Sequence, residues 1–259
     1  MNRYLKPVIM SALLVAAASC AERASEEKVI DKPDFKSADG IFSIEALEAL
    51  GRVASPVVSP DKTKVLYSVS YESVEENRSN ADLYVMNIDG SEKTRITRTA
   101  KSESNAVWIN GGKQIAFLYP DGDKNQVWVM NADGSGRACV SSVENGVFGF
   151  LVSPDESKIV LISNVKYSRT AQDVYPDLPK ATGRVIDDLM YKHWDEWVTE
   201  IPHPFIADFD GKKVSNVTDI MEGEPFEAPM KPFGGVESFA WSPDLSLIHI
   251  SEPTRPEPI

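Results

Sequence analysis

One strand cassette, written three times and begun a fourth, constrains this chain more than any other feature. The copies read VVSPDKTKVLYSV from Val57, WINGGKQIAFLY from Trp108, LVSPDESKIVLIS from Leu151 and FAWSPD from Phe239. Each joins an apolar run to a turn, of Ser-Pro-Asp type in three of the four, where proline presets φ and aspartate closes the turn with its side chain. The next run alternates, with Val65, Tyr67 and Val69 in the first copy and Ile115, Phe117 and Tyr119 in the second. Period two in β-branched and aromatic residues marks a strand. Third strands close on Asp-Gly at Gly90, Gly134 and Gly211, a hairpin signal because glycine tolerates positive φ. Thr94 to Thr97 and Val214 to Thr218 read as short fourth strands.

Equivalent positions such as Ser59, Ile109 and Ser153 recur at ~44–50 residues, the length of a four-stranded blade. The step from Ser153 to Ser242 is about twice that and holds one blade plus an insertion, about residues 166–204. A blade has two apolar faces and covers them only by stacking on its neighbours around an axis. The expected fold is all-β: a partial, truncated β-propeller of about three four-stranded blades plus the start of another, with a short N-terminal helix and a helical insertion. The domain spans 41–244. After Asp244 the run LSLIHISEPTRPEPI fits no earlier copy; residues 245–259 resemble the translation of a transposon-end sequencing adaptor and read as an artefactual tail. An arc of this kind leaves an apolar sheet face at each end and is expected to aggregate or stay loosely packed.

The amino terminus points to export. Arg3 and Lys6 precede an apolar run from Val8 to Ala18, too short to span a bilayer, and Ala17, Ala18 and Ser19 lead into Cys20. Residues 1–20 therefore read as a lipoprotein-type signal peptide with Cys20 lipidated and anchoring the protein to a membrane in the periplasm or cell envelope. A plain signal peptide cut near Ala18 is the alternative. Residues 21–40 are polar without periodicity and read as a flexible tether. Apart from Cys20 there is only Cys139, so no intrachain disulfide forms and stability rests on sheet packing. The formal charge of −12 opposes binding to nucleic acid or anionic lipid. Nothing in the sequence asks for a metal or cofactor.

Phe42 to Arg52 reads as a short helix with Ser43 as N-cap and Ile44, Leu47 and Leu50 on one face. In the insertion, VIDDLMYKHWDEWV places Ile186, Leu189, Met190, Trp194 and Trp197 at helical spacing, with Asp187, Asp188, Lys192 and Asp195 on the other side. The expectation is an amphipathic helix whose tryptophans dock it on the propeller rim. Asp195 and Glu196 read equally as a solvated edge or as a binding pair.

FSIEALEALGRVASPVVSPD, the SPD blades with DG hairpins, YKHWDEW and FGGVESFAWSPD together resemble the prolyl oligopeptidase family of serine peptidases, in its dipeptidyl-peptidase and acylaminoacyl-peptidase branch. The resemblance implies a propeller that caps an α/β-hydrolase domain in cis, gating and orienting short peptide substrates for a Ser, Asp, His triad. The G-x-S-x-G elbow of that triad does not occur here, and His193, His203 and His249 lie in no hydrolase context. No catalytic residue carries over, and this chain alone is expected to be inactive. By analogy with exopeptidases that grip a free amine with acidic side chains of a propeller insertion, Glu196 and Asp195 are the candidate substrate-binding residues. A TolB-like envelope propeller, a non-enzymatic binding scaffold, is the other reading, since SPD and DG elements occur there too.

Overall fold

The computed structural model describes residues 27–36, 40–188, 191–231, 233–244 and 248–250. Helix α1 (Ile44–Glu48) leads into the first blade, β1 (Arg52–Val58), β2 (Lys64–Ser73), β3 (Arg78–Asn87) and β4 (Thr94–Arg95). The second blade is β5 (Ser104–Ile109), β6 (Gln114–Asp121), β7 (Lys124–Asn131) and β8 (Ala138–Cys139). The third is β9 (Gly149–Val152), β10 (Lys158–Lys166), β13 (Glu200–Phe209) and β14 (Val214–Asp219). All three are antiparallel meanders in which sequence neighbours pair, the insertion of residues 167–199 dividing only the third.

The turns show why the cassette folds. Ser59 Oγ donates to Asp61 Oδ1 at 2.6 Å, the same carboxylate accepts from Thr63 N at 3.0 Å, and Lys64 N donates back to Ser59 Oγ at 2.9 Å. Ser153, Asp155, Ser157 and Lys158 repeat this in the third blade. The second blade replaces the turn with Asn110, Gly111 and Gly112, and Asn110 N donates to the Glu156 carboxylate of the next blade at 2.8 Å. In the Asp-Gly hairpins the aspartate side chain accepts from the serine two residues on, as Asp89 does from Ser91 and Asp133 from Ser135.

Blades are joined by apolar seams with a few polar locks. Leu66, Leu83, Ile115, Phe117 and Met130 fill the first seam. Leu118, Val127, Phe150, Ile159, Leu161 and Ala207 fill the second. Each such large side chain contributes roughly 1.5–3 kcal/mol by leaving water. Trp108 Nε1 donates to Val57 O across the first seam and Trp241 Nε1 to Leu151 O across the third, both at 3.1 Å. At the second seam Asn105 takes this part, donating to Phe150 O and accepting from Phe150 N at 3.3 Å. Glu103, wholly buried, pairs with Arg137 at 2.8 Å, and the guanidinium lies 3.8 Å from the Tyr119 ring centroid. Burial outweighs Arg137 and the Thr97 hydroxyl and holds the Glu103 carboxyl above its usual range.

Four features differ from the reading of the sequence. Helix α1 keeps its Ser43 cap, with Ala46 N donating to Ser43 Oγ at 3.3 Å, but ends at Glu48. A Cβ on Gly51 would lie 2.9 Å from the side chains of Val69 and Tyr71, so the chain enters β1 in close contact with β2 and has no room to stay helical. Ile44, Leu47 and Leu50 are exposed, and Ala46 is the residue that α1 buries. Second, Lys28 to Asp31 lie against the first blade: Ile30 is buried, Asp31 pairs with Arg95 and Arg98, and Lys28 with Glu76. Third, beyond Asp244 the chain forms β16 (Ile248–Ile250), antiparallel to β15 (Phe239–Trp241), so the fourth cassette continues into a second strand. The fourth, in the insertion, concerns the site. Residues 1–20, with Cys20, lie outside the described residues.

Candidate functional site

The insertion leaves the third blade at Lys166 and returns at Glu200, two residues that are cross-strand partners. It opens with α2 (Ala171–Val174), whose Thr170 and Asp173 form a reciprocal capping box. Lys166 Nζ reaches the Asp173 carboxylate at 2.5 Å, and this contact, with the Thr170 donors, lowers the Asp173 pKa to about 2.

Where the sequence predicts an amphipathic helix, the described residues form no helix between Arg184 and Val198. Lys192–His193 (β11) and Glu196–Trp197 (β12) make a hairpin instead, closed by Trp194 and Asp195. Trp194 takes φ 58°, a value that a two-residue hairpin turn demands and a right-handed helix forbids. The register pairs Lys192 with Trp197 and His193 with Glu196, so the helical spacing of the apolar residues is not used by the hairpin. Docking on the rim fails for Trp194, which is 80% exposed at the hairpin tip. Trp197 faces back into the insertion, beside Tyr191 with ring centroids 6.2 Å apart.

A cavity of about 480 Å³ lies within the insertion, walled by Tyr167, Arg169, Arg184, Asp187, Tyr191 and Trp197 among others. Arg169 is neutralised by Asp187 at 2.7 Å, and the Tyr167 hydroxyl donates to Asp188 at 2.9 Å, which raises the phenol pKa. Arg184 lies 4.4 Å from the Trp197 ring centroid and Lys192 lies 5.1 Å from it.

The two candidate carboxylates are on the hairpin. Asp195 is at its turn and Glu196 opposite His193, both exposed, and neither forms an ion pair among the described residues. A third acidic residue, which the sequence did not single out, stands at the base. Glu227 has a side chain only 8% exposed, lies 3.9 Å from His193 Nδ1 and accepts from Lys231 N at 3.1 Å. It comes from the link between the third and fourth blades, 34 positions beyond His193, so only the fold brings them together.

His203 is buried in β13 with Nδ1 2.9 Å from Asp219 Oδ2, and Nε2 meets no partner among the described residues. Ser163, its cross-strand partner, donates its hydroxyl to Gly146 O at 2.7 Å. His249 lies in β16, where only the backbone is described.

No family model matches the chain. Dipeptidyl-peptidase 5 of Porphyromonas gingivalis is 48% identical over 200 residues, which are 77% of this chain and 29% of that protein. Dipeptidyl-peptidase 5 of Porphyromonas endodontalis is 36% identical over 208 residues, 80% of this chain and 30% of that one. The chain thus spans about three tenths of the length of these curated relatives. Among solved structures, an acylaminoacyl peptidase in complex with Z-Gly-Gly-Phe-chloromethyl ketone superposes with a TM-score of 0.50 at 14% identity, over 67% of this chain and 26% of that one. This likeness concerns the propeller fold alone.

Proposed function

The chain belongs to the prolyl oligopeptidase family, and on that premise we propose that it is the propeller portion of an extracytoplasmic serine exopeptidase of the dipeptidyl- or acylaminoacyl-peptidase type. In this reading the propeller excludes folded proteins and orients short peptides toward an α/β-hydrolase domain encoded beyond this segment. That domain supplies the triad, and this chain alone hydrolyses nothing. The observation that supports a substrate-facing insertion is the hairpin, which holds Glu196 and Asp195 exposed and without an ion-pair partner among the described residues. Carboxylates so held suit the ammonium group of a peptide's first residue, because charge-assisted hydrogen bonds to it are the stronger kind.

The test uses the intact peptidase. Glu196→Gln is expected to lower kcat/KM for a dipeptide reporter with a free amine by about 10–100-fold, the loss of one hydrogen bond to a charged group. An amino-blocked reporter should be turned over as before. Equal loss on both reporters removes Glu196 from the amine site. Reading the gene beyond Asp244 tests the wider proposal: a G-x-S-x-G element followed by Asp and His supports the peptidase, and a stop codon after the propeller supports a binding scaffold. We also assign the protein to the cell envelope through a lipid on Cys20. Fatty-acid label should enter the wild type and not Cys20→Ser.

A further inference from the structure

The charge around Trp197 is unusual for this protein. The chain carries a formal charge of −12, yet two cations, Arg184 and Lys192, share one indole, and neither makes an ion pair among the described residues. The other cation of the cavity, Arg169, is already matched by Asp187. A guanidinium stacked on an aromatic ring spends its face on the ring and keeps its in-plane N–H donors, the fork that fits a carboxylate, for another partner. The cavity beside it has about 480 Å³, within the ~300–1,000 Å³ of small-molecule sites, and one wall is aromatic, Tyr191 and Trp197.

We propose that this cavity is a carboxylate site, in which Arg184 laid over Trp197 takes the carboxylate of a short peptide while an adjacent apolar side chain lies against the aromatic wall. The proposal rests on the reading of the protein as a handler of short peptides only for the identity of the ligand. It places an anion-binding end within the insertion whose hairpin carries the acidic pair Asp195 and Glu196. The carboxylate has two possible sources, the C-terminus of a peptide or an Asp or Glu side chain, and both present the same group to Arg184.

Three probes without a free amine separate this site from the amine grip assigned to Glu196. They are Nα-acetyl-phenylalanine, its C-terminal amide, and Nα-acetyl-glutamate α-amide, titrated into the 259-residue chain at low micromolar concentration with tryptophan fluorescence as the readout. The acid is expected to bind at least tenfold more tightly than its amide. Arg184→Ala should remove that preference, and Arg184→Lys, which keeps charge without the fork, should retain part of it. Binding of the glutamate amide with affinity equal to the acid shows that the site takes either source, and binding of the acid alone assigns it to C-termini; either supports the proposal. Equal titration of acid and amide, no binding by any of the three, or unchanged preference in Arg184→Ala overturns it. Because the acid and amide are compared on the unaltered chain, the outcome does not depend on a variant folding. A failure here leaves the Glu196 test standing, since that test reads turnover of a free amine.

Discussion

Two glycines at equivalent positions do different work. Gly90 and Gly134 both close Asp-Gly hairpins, with φ of 84° and 87°. A Cβ on Gly90 would meet nothing within 4 Å, whereas one on Gly134 would lie 2.1 Å from the carbonyl oxygen of Ile96, which belongs to the preceding blade. Gly90→Ala should therefore cost only the left-handed backbone penalty, roughly 1–2 kcal/mol. Gly134→Ala adds a collision across a blade seam and should cost about 2–4 kcal/mol. Urea unfolding of both variants measures the difference, and equal losses would mean that the hairpin of the second blade does not rest on the first. The sequence announces both glycines identically, as NIDGS and NADGS. Which of them touches a neighbour is a property of stacking, and no local pattern encodes it. Glu227 is a like case: nothing near it in sequence hints that His193 lies 3.9 Å away.

At the scale of elements, the strands of the first three blades were legible because turn chemistry and alternation agree in each of those copies, whereas nothing after Asp244 announced β16. The insertion was not legible, because its apolar spacing suggests a helix while its turn lacks the Asn-Gly or Asp-Gly signal that would have announced a hairpin. The aromatic wall and the stacked Arg184 were out of reach for the same reason, since a helix would have put Trp197 on the rim. Helix α2 has an electrostatic dependence that can be measured. Asp173 has its pKa lowered in the fold by Lys166 and the Thr170 donors, so the stability it lends is present above the ordinary carboxylate range and lost as pH falls toward about 2. Amide exchange at Ala171 to Val174 should accelerate as pH drops from the usual carboxylate value to that point, beyond the intrinsic pH dependence of exchange. In Asp173→Asn that extra change should be absent. A wild type and variant with the same pH profile would show that the Lys166 contact is not formed in solution.

At the scale of the molecule, among the described residues the second and third blades have neighbouring blades or strands on both sides, and the first has a neighbouring blade on one. Val65, Tyr67 and Val69 form a small cluster on its far face, and Val53, Val58, Ile44, Leu47 and Leu50 are exposed around it. Apolar surface of this extent favours association. Sedimentation velocity of the chain should show weight growing with concentration, and Ile44→Lys with Leu47→Lys should reduce it. A monomer at every concentration would mean that these residues are covered in solution. Repetition made the stacking of blades readable from spacing alone, but spacing does not say which faces meet a partner.

The third blade's central ladder runs without a break from Lys158 paired with Asp208 to Lys166 paired with Glu200, so the insertion leaves and rejoins the sheet at a single rung. A segment tethered in this way is a replaceable module: trimmed to a tight reversal it would leave the host sheet its full complement of backbone bonds, and lengthened or rewritten it would alter the surface beside the blade without disturbing what holds the blade up. A sheet built this way can therefore change that one stretch while keeping the ladder that carries it.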